Sequence, residues 1–288
     1  MKSPRSSNFI LKSQKYLLPI LRFLFGCEVQ GLEKLQPEKK YLLVGNHSVG
    51  VFIEGFMLLD AWENRFNGKP MCFAMTHRFF FQFPLISSMM HKVGCIPASY
   101  EASDEAFKEG NSVLVFPGGN YEAMRTYRER EICDFGQKKG WIKIALKNQV
   151  PVVPVSIAGS HFINPNFVRS RLMCYVMILP ALMNVKWFPI SLSQIVYSSL
   201  MAVVTSLFLP LWAVIILTYF TFGLAYFLPI WPAHVHAEIN DPIDLMSLDP
   251  ERRSADELIA DHIFLQKVYD LVLGTVQKKM DLMLKLSR

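Results

Sequence analysis

Between positions 187 and 233 the sequence has no Asp, Glu, Lys, Arg or His. Soluble cores rarely go 47 residues without a charge, so contact with lipid is the better explanation. Cysteine is also scarce. The five present, Cys27, Cys72, Cys95, Cys133 and Cys174, are odd in number and lack paired spacing. A disulfide scaffold or a thiolate zinc site is therefore excluded, and free buried thiols in a reducing compartment are expected. No Gly-x-Ser-x-Gly occurs, which argues against a serine hydrolase; Gly159-Ser160-His161 does not meet that pattern. There is no long Lys/Arg run and no nucleic-acid motif. The net charge of +6 thus points to an anionic membrane surface rather than to nucleic acid. His234 and His236 alternate on one segment without a third ligand, so no metal is expected.

Acids are missing before Glu28, whereas Lys2, Arg5, Lys12, Lys15 and Arg22 all precede it. Arg22 interrupts the apolar stretch, and Phe25 is bulky where a cleavage site wants small residues. A retained interfacial helix is expected over residues 1–29, laying Phe9, Leu17, Ile20, Leu21 and Leu24 into lipid.

What is present alternates. The short apolar runs Tyr41–Gly45, Met71–Met75, Ser112–Phe116 and Val152–Ile157 end at polar or Gly/Pro positions and read as buried strands. Helix-length stretches lie between them, which predicts an α/β domain over residues 30–253. Within it, 187–233 reads as a hydrophobic membrane insertion. Its core at 200–231 holds 32 residues, more than one span and less than two, punctuated by Pro210 and Pro229. A kinked span, a tight hairpin and a re-entrant pair all fit. His234–Ile239 reads as a further strand. Residues 254–288 read as an amphipathic helix, with Ser254 and Glu257 as a capping box and Leu258, His262, Leu265, Tyr269, Val272, Val276, Met280 and Met283 on one face.

Two segments carry chemistry. In the first, Val44-Gly45-Asn46-His47, a strand ends in Gly-Asn-His, and Glu54 follows seven residues later. A histidine at a strand mouth titrates near neutrality, and a nearby carboxylate can fix its tautomer. In the second, Val115-Phe116-Pro117-Gly118-Gly119-Asn120-Tyr121-Glu122, adjacent glycines let backbone N–H groups approach a ligand, with Arg125 just beyond.

Together and in this order the two segments resemble the glycerolipid acyltransferase superfamily, whose first motif is Asn-His followed by an acid and whose third contains Phe-Pro-Glu/Gly-Gly. Gly94–Ser99 and Val150–Val155 resemble its second and fourth motifs, so the likeness covers about residues 30–245. The common first motif places Asp five residues after His, where Phe52 stands here. Glu54, seven residues on, and the Pro-Gly-Gly with a following Glu-Ala are closer to phytyl-ester synthases and diacylglycerol acyltransferase-type members.

The resemblance implies a mixed sheet flanked by helices and no cofactor, with acyl-CoA or acyl carrier protein as co-substrate. His47 would be the base and Glu54 its orienting acid. Asn46, Pro117, Gly118, Gly119, Glu122 and Arg125 are candidate substrate-binding residues, with N–H groups at Gly118 and Gly119 candidates for an oxyanion hole. Arg125, Lys138, Lys139 and Lys143 are candidates for carrier phosphates. Lysophosphatidate acyltransferases carry Glu-Gly-Thr-Arg where this chain has Gly118–Tyr121, which points to a neutral lipid acceptor such as diacylglycerol, monoacylglycerol or a long-chain alcohol. Membrane lipids and an acyl thioester donor are the expected partners, and a membrane site facing the cytoplasm the expected location. A lysophospholipid acceptor and a non-catalytic lipid-binding protein are the alternatives.

Overall fold

The computed structural model describes residues 20, 22–47, 53–67 and 70–286. Most of the expected N-terminal helix, and Phe52, lie outside these residues. Residues 22–25 are helical, but the sheet already begins at β1 (Glu28–Gln30), so the last two positions of the expected interfacial helix are strand.

The strands expected from the sequence are present: β2 (Leu42–Gly45), β3 (Cys72–Thr76), β5 (Ser112–Val115), β6 (Val152–Ala158) and β9 (His236–Ile239). With β1 and the short β4 (Cys95–Pro97) they form one seven-stranded sheet in the order β1-β9-β6-β2-β5-β3-β4. Every neighbouring pair is parallel except β6 with β9, so the sheet is mixed.

Alternation along the strands builds a core on each face. Leu42, Val44, Val113 and Val152 pack with α5 (Gly140–Asn148) and α11 (His262–Leu286) on one side. Leu43, Leu114, Val153 and Val155 pack with α1 (Ile53–Phe66) on the other. Each of these fully buried aliphatic side chains contributes about 1.5–3 kcal/mol. The second side also buries Phe25, which ties residues 22–25 to the sheet edge.

The C-terminal segment differs from expectation. One continuous helix is replaced by α10 (Ala255–Ala260) and α11, broken at Asp261. Asp261 is extended there, and its Oδ1 accepts the N–H groups of Ile263 and Phe264, so its side chain caps a new helix and outcompetes the old one.

Between β6 and β9 lies an insertion of β7 (Asn166–Ser170), α6 (Arg171–Val176), α7 (Leu179–Leu182), β8 (Phe188–Ser191), α8 (Leu192–Ser206) and α9 (Leu211–Ala225). β7 and β8 pair antiparallel as a separate ribbon. The charge-free segment therefore opens as strand β8, and its apolar remainder forms a hairpin of two helices of 15 residues each, turned at Pro210. Among the described residues no helix is long and apolar enough to cross a membrane.

Candidate active site

β2 delivers the site's histidine. Past Gly45 the pairing with β6 is prolonged by a side chain: Asn46 Nδ2 donates to Ile157 O at 2.9 Å, and Asn46 Oδ1 accepts Ile157 N–H at 2.8 Å. Asn46 is fully buried and is spent on this lock, away from the groove. His47 then emerges past the C-terminal end of this central strand with its ring stacked on Phe116, centroids 4.9 Å apart.

Glu54, in the first turn of α1, is also fully buried. Its Oε2 lies 2.5 Å from His47 Nδ1, and its Oε1 accepts the Ser160 hydroxyl at 2.6 Å. A carboxylate only accepts, so the proton sits on Nδ1 and Nε2 is left with its lone pair. Burial pushes the His47 pKa down, but the charge of Glu54 and its hydrogen bond outweigh it, and the net shift is upward from 6.5.

Glu122 is the second buried acid. Its Oε2 accepts His47 N–H at 2.9 Å and its Oε1 accepts Asp134 N–H at 3.1 Å, so it ties the histidine loop to the segment that follows α4 (Gly119–Ala123). Burial raises its pKa to about 7, against the opposing pull of Arg125. A Cβ at position 118 would stand 2.3 Å from Glu122 Oε2 and 2.7 Å from Asp134 O, which is why glycine is required there. Gly119 turns the chain at φ 51° and gives its N–H to Phe116 O, so that donor is already spent in the turn.

Arg125 is buried beneath this loop. It donates from Nη2 to His161 Nε2 at 3.2 Å and stands 3.5 Å from Glu122 Oε1. Burial, and after it the Arg125 charge, holds His161 well below 6.5, so His161 is a neutral acceptor.

A groove of about 1400 Å³ opens in front of His47. Of the expected substrate-binding residues, Pro117 and Gly119 line it, whereas Asn46, Gly118, Glu122 and Arg125 lie behind its wall. Met75, Phe80, Met90 and Val93 give it an apolar stretch, and Lys138, Lys186 and Arg78 supply cations. Lys138 Nζ donates to Gly118 O at 3.2 Å, while Lys139 and Lys143 are not among the lining residues.

Sequence reasoning passed over Ser160. The signal was its place just past the end of β6, where Gly159 at φ 91° lets the chain pass His234 O; a Cβ there would come within 1.9 Å of that oxygen. His234 and His236 stack at 6.3 Å, and the described residues contain no cluster able to hold a metal ion.

Residues 26–158 match the model of the Acyltransferase family. An uncharacterised protein of Mycobacterium tuberculosis is 27% identical over 177 residues, covering 60% of this chain and 49% of that protein. The DGAT1/2-independent enzyme synthesizing storage lipids of Bos taurus is 27% identical over 130 residues, 45% of this chain and 38% of the enzyme. Human 2-acylglycerol O-acyltransferase 3 is 24% identical over 149 residues, 49% and 43% of the two chains. The chain thus spans about half the length of these curated relatives, or less. Among solved structures, the 1-acyl-sn-glycerophosphate acyltransferase PlsC of Thermotoga maritima aligns over 94% of this chain and 87% of its own, at 16% identity and a TM-score of 0.46. Residues 26–158 of this chain form a domain of the Acyltransferase family.

Proposed function

We propose that the protein is an O-acyltransferase that moves a fatty acyl group from a thioester carrier, acyl-CoA or acyl carrier protein, to the hydroxyl of a neutral lipid. The observation that carries this is the His47–Glu54 pair, whose imidazole lines a groove with an apolar stretch. His47 takes the acceptor's hydroxyl proton as its oxygen attacks the thioester carbonyl, and the imidazolium that forms is stabilised by Glu54. With Gly119 N–H engaged and Gly118 behind the wall, the developing oxyanion is assigned to the N–H of Asn120, which lines the groove. Collapse expels the carrier thiolate, which takes up the proton from His47. Lys138, at the groove edge, meets the carrier's phosphates. Two of the relatives carry names for neutral-lipid chemistry, which supports the choice of acceptor.

The test is release of free CoA by the purified full chain from a long-chain acyl-CoA, with and without mono- or diacylglycerol. Acceptor-dependent release with a new ester is expected. Binding of lipid without turnover, at any acceptor, would instead make this a lipid-binding protein.

A further inference from the structure

Glu122, expected from the sequence among the substrate contacts, is fully buried and does not line the groove. An apolar side chain would fill its space without the cost of desolvating a charge. We propose that Glu122 is a positioning residue, a buried brace that holds the main chain of His47 and the groove wall at 134–138 as one body, so that a ligand seated on the wall also orders the base. The roles of His47 as base and of the wall as donor contact rest on the acyl-transfer reading; the brace does not.

The two carboxylate oxygens reach different segments. Oε2 accepts the N–H of His47 at 2.9 Å, just past β2, and Oε1 accepts that of Asp134 at 3.1 Å. Bonds from a main-chain N–H to a carboxylate are charge-assisted and belong to the stronger class. Space is left for this carboxylate alone, since a Cβ on residue 118 would meet both Oε2 and Asp134 O.

The wall is built outward from the same point. Asp134 Oδ1 accepts Gly136 N–H at 2.7 Å, the Tyr269 hydroxyl of α11 accepts Gln137 N–H at 3.2 Å, and Lys138 reaches back to Gly118 O. Asp134, Gly136, Gln137 and Lys138 all line the groove. A ligand that presses on them therefore meets a segment whose first residue shares one side chain with the main chain of His47.

Around the carboxylate stand Arg125, His47, the Cys133 thiol and Lys138. Arg125 Nη1 comes to 3.5 Å without making a hydrogen bond, and Nη2 is spent on His161. The guanidinium thus balances the charge and leaves both oxygens to the main chain. Against burial, which lowers the His47 pKa, Glu122 adds to the upward pull of Glu54.

The test is hydrogen exchange read by mass spectrometry on the full chain, in peptides containing His47 and residues 134–138, with and without free CoA. In Glu122→Gln the amide offers one acceptor and sets its NH2 against the other N–H. Without CoA, at least one of the two peptides should then exchange at least about 10-fold faster, with circular dichroism unchanged. NMR titration of the same variant should report a lower His47 pKa. Gly118→Ala keeps the charge but displaces the carboxylate, and should speed exchange in both peptides. CoA should slow both peptides in the wild type, and only 134–138 in Glu122→Gln. Wild-type rates in both peptides of Glu122→Gln overturn the proposal. Acceleration spread evenly over the chain means a general loss of stability and overturns it too, as does slowing by CoA at 134–138 that does not reach His47 in the wild type. CoA that slows neither peptide overturns the donor reading and with it the coupling, while the CoA-free rates still decide the brace.

Discussion

At the scale of single residues, the site is a chain of hydrogen bonds running from Ser160 through Glu54 to His47. Removing the base should be severe: His47→Ala should lower kcat/KM at least about 10²-fold with folding intact. The pH dependence follows from the sign of the shift. As the proposed base, His47 can act only when neutral, and its pKa is raised, so activity should fall as pH drops through a value above the ordinary 6.5. Stability linked to His47 runs the other way: it is fully present below 6.5 and is lost as pH rises through the folded value. Glu54→Gln removes the charge that raises this pKa. The acid limb should move to lower pH while kcat falls, and a limb that stays in place would mean that Glu54 does not set the titration. Ser160→Ala removes a hydrogen bond to a buried carboxylate, a contact in a class that contributes about 1.5–3 kcal/mol. The proton affinity of the His47–Glu54 pair then rises, so NMR titration of His47 should report a higher pKa, with kcat down about tenfold and KM little changed.

At the scale of elements, the sequence announced the strands that bear the chemistry, because each is a continuous apolar run ending at Gly, Pro or a polar residue. It was silent on β1, β4, β7 and β8, which at three to five residues are too short for their pattern to stand out from the neighbouring sequence. The break at Asp261 was missed because an i, i+3, i+4 pattern continues across it; only the side chain's capping bonds interrupt the helix. Asn46 was legible as part of a motif but not in its role. Its side chain stands in for a strand residue, pairing both backbone groups of Ile157. Asn46→Ala leaves a buried N–H and a buried C=O unpaired, at about 1–3 kcal/mol each. The expected outcome is a clear drop in the thermal unfolding midpoint, measured by circular dichroism. An unchanged midpoint would show that the β2–β6 pairing does not depend on this bridge.

At the scale of the whole molecule, the question is how the groove and the insertion together select an acceptor. A lysophosphatidate phosphate would need a cation near the attacking hydroxyl, since an unpaired dianion is costly to bury. Position 121, where phosphate-using relatives carry arginine, is Tyr121, with Arg169 stacked on it at 4.7 Å and already paired with Glu129. Arg125, one turn further, is held behind the wall by His161 and Glu122, so bringing it to the groove would break those contacts. That leaves Lys138, whose place beside Gly118 O suits a carrier phosphate as the thioester sits over the loop. A diacylglycerol or monoacylglycerol brings no charge, and under the proposed function it needs no cation beside the attacking hydroxyl. In a mixture of diacylglycerol, monoacylglycerol and lysophosphatidate with one acyl-CoA, the neutral acceptors should take most of the acyl groups. Lys138→Ala should raise the KM for acyl-CoA and leave the acceptor ratio unchanged. A preference for lysophosphatidate that Lys138→Ala abolishes would move this lysine from donor to acceptor and make the product a phospholipid precursor.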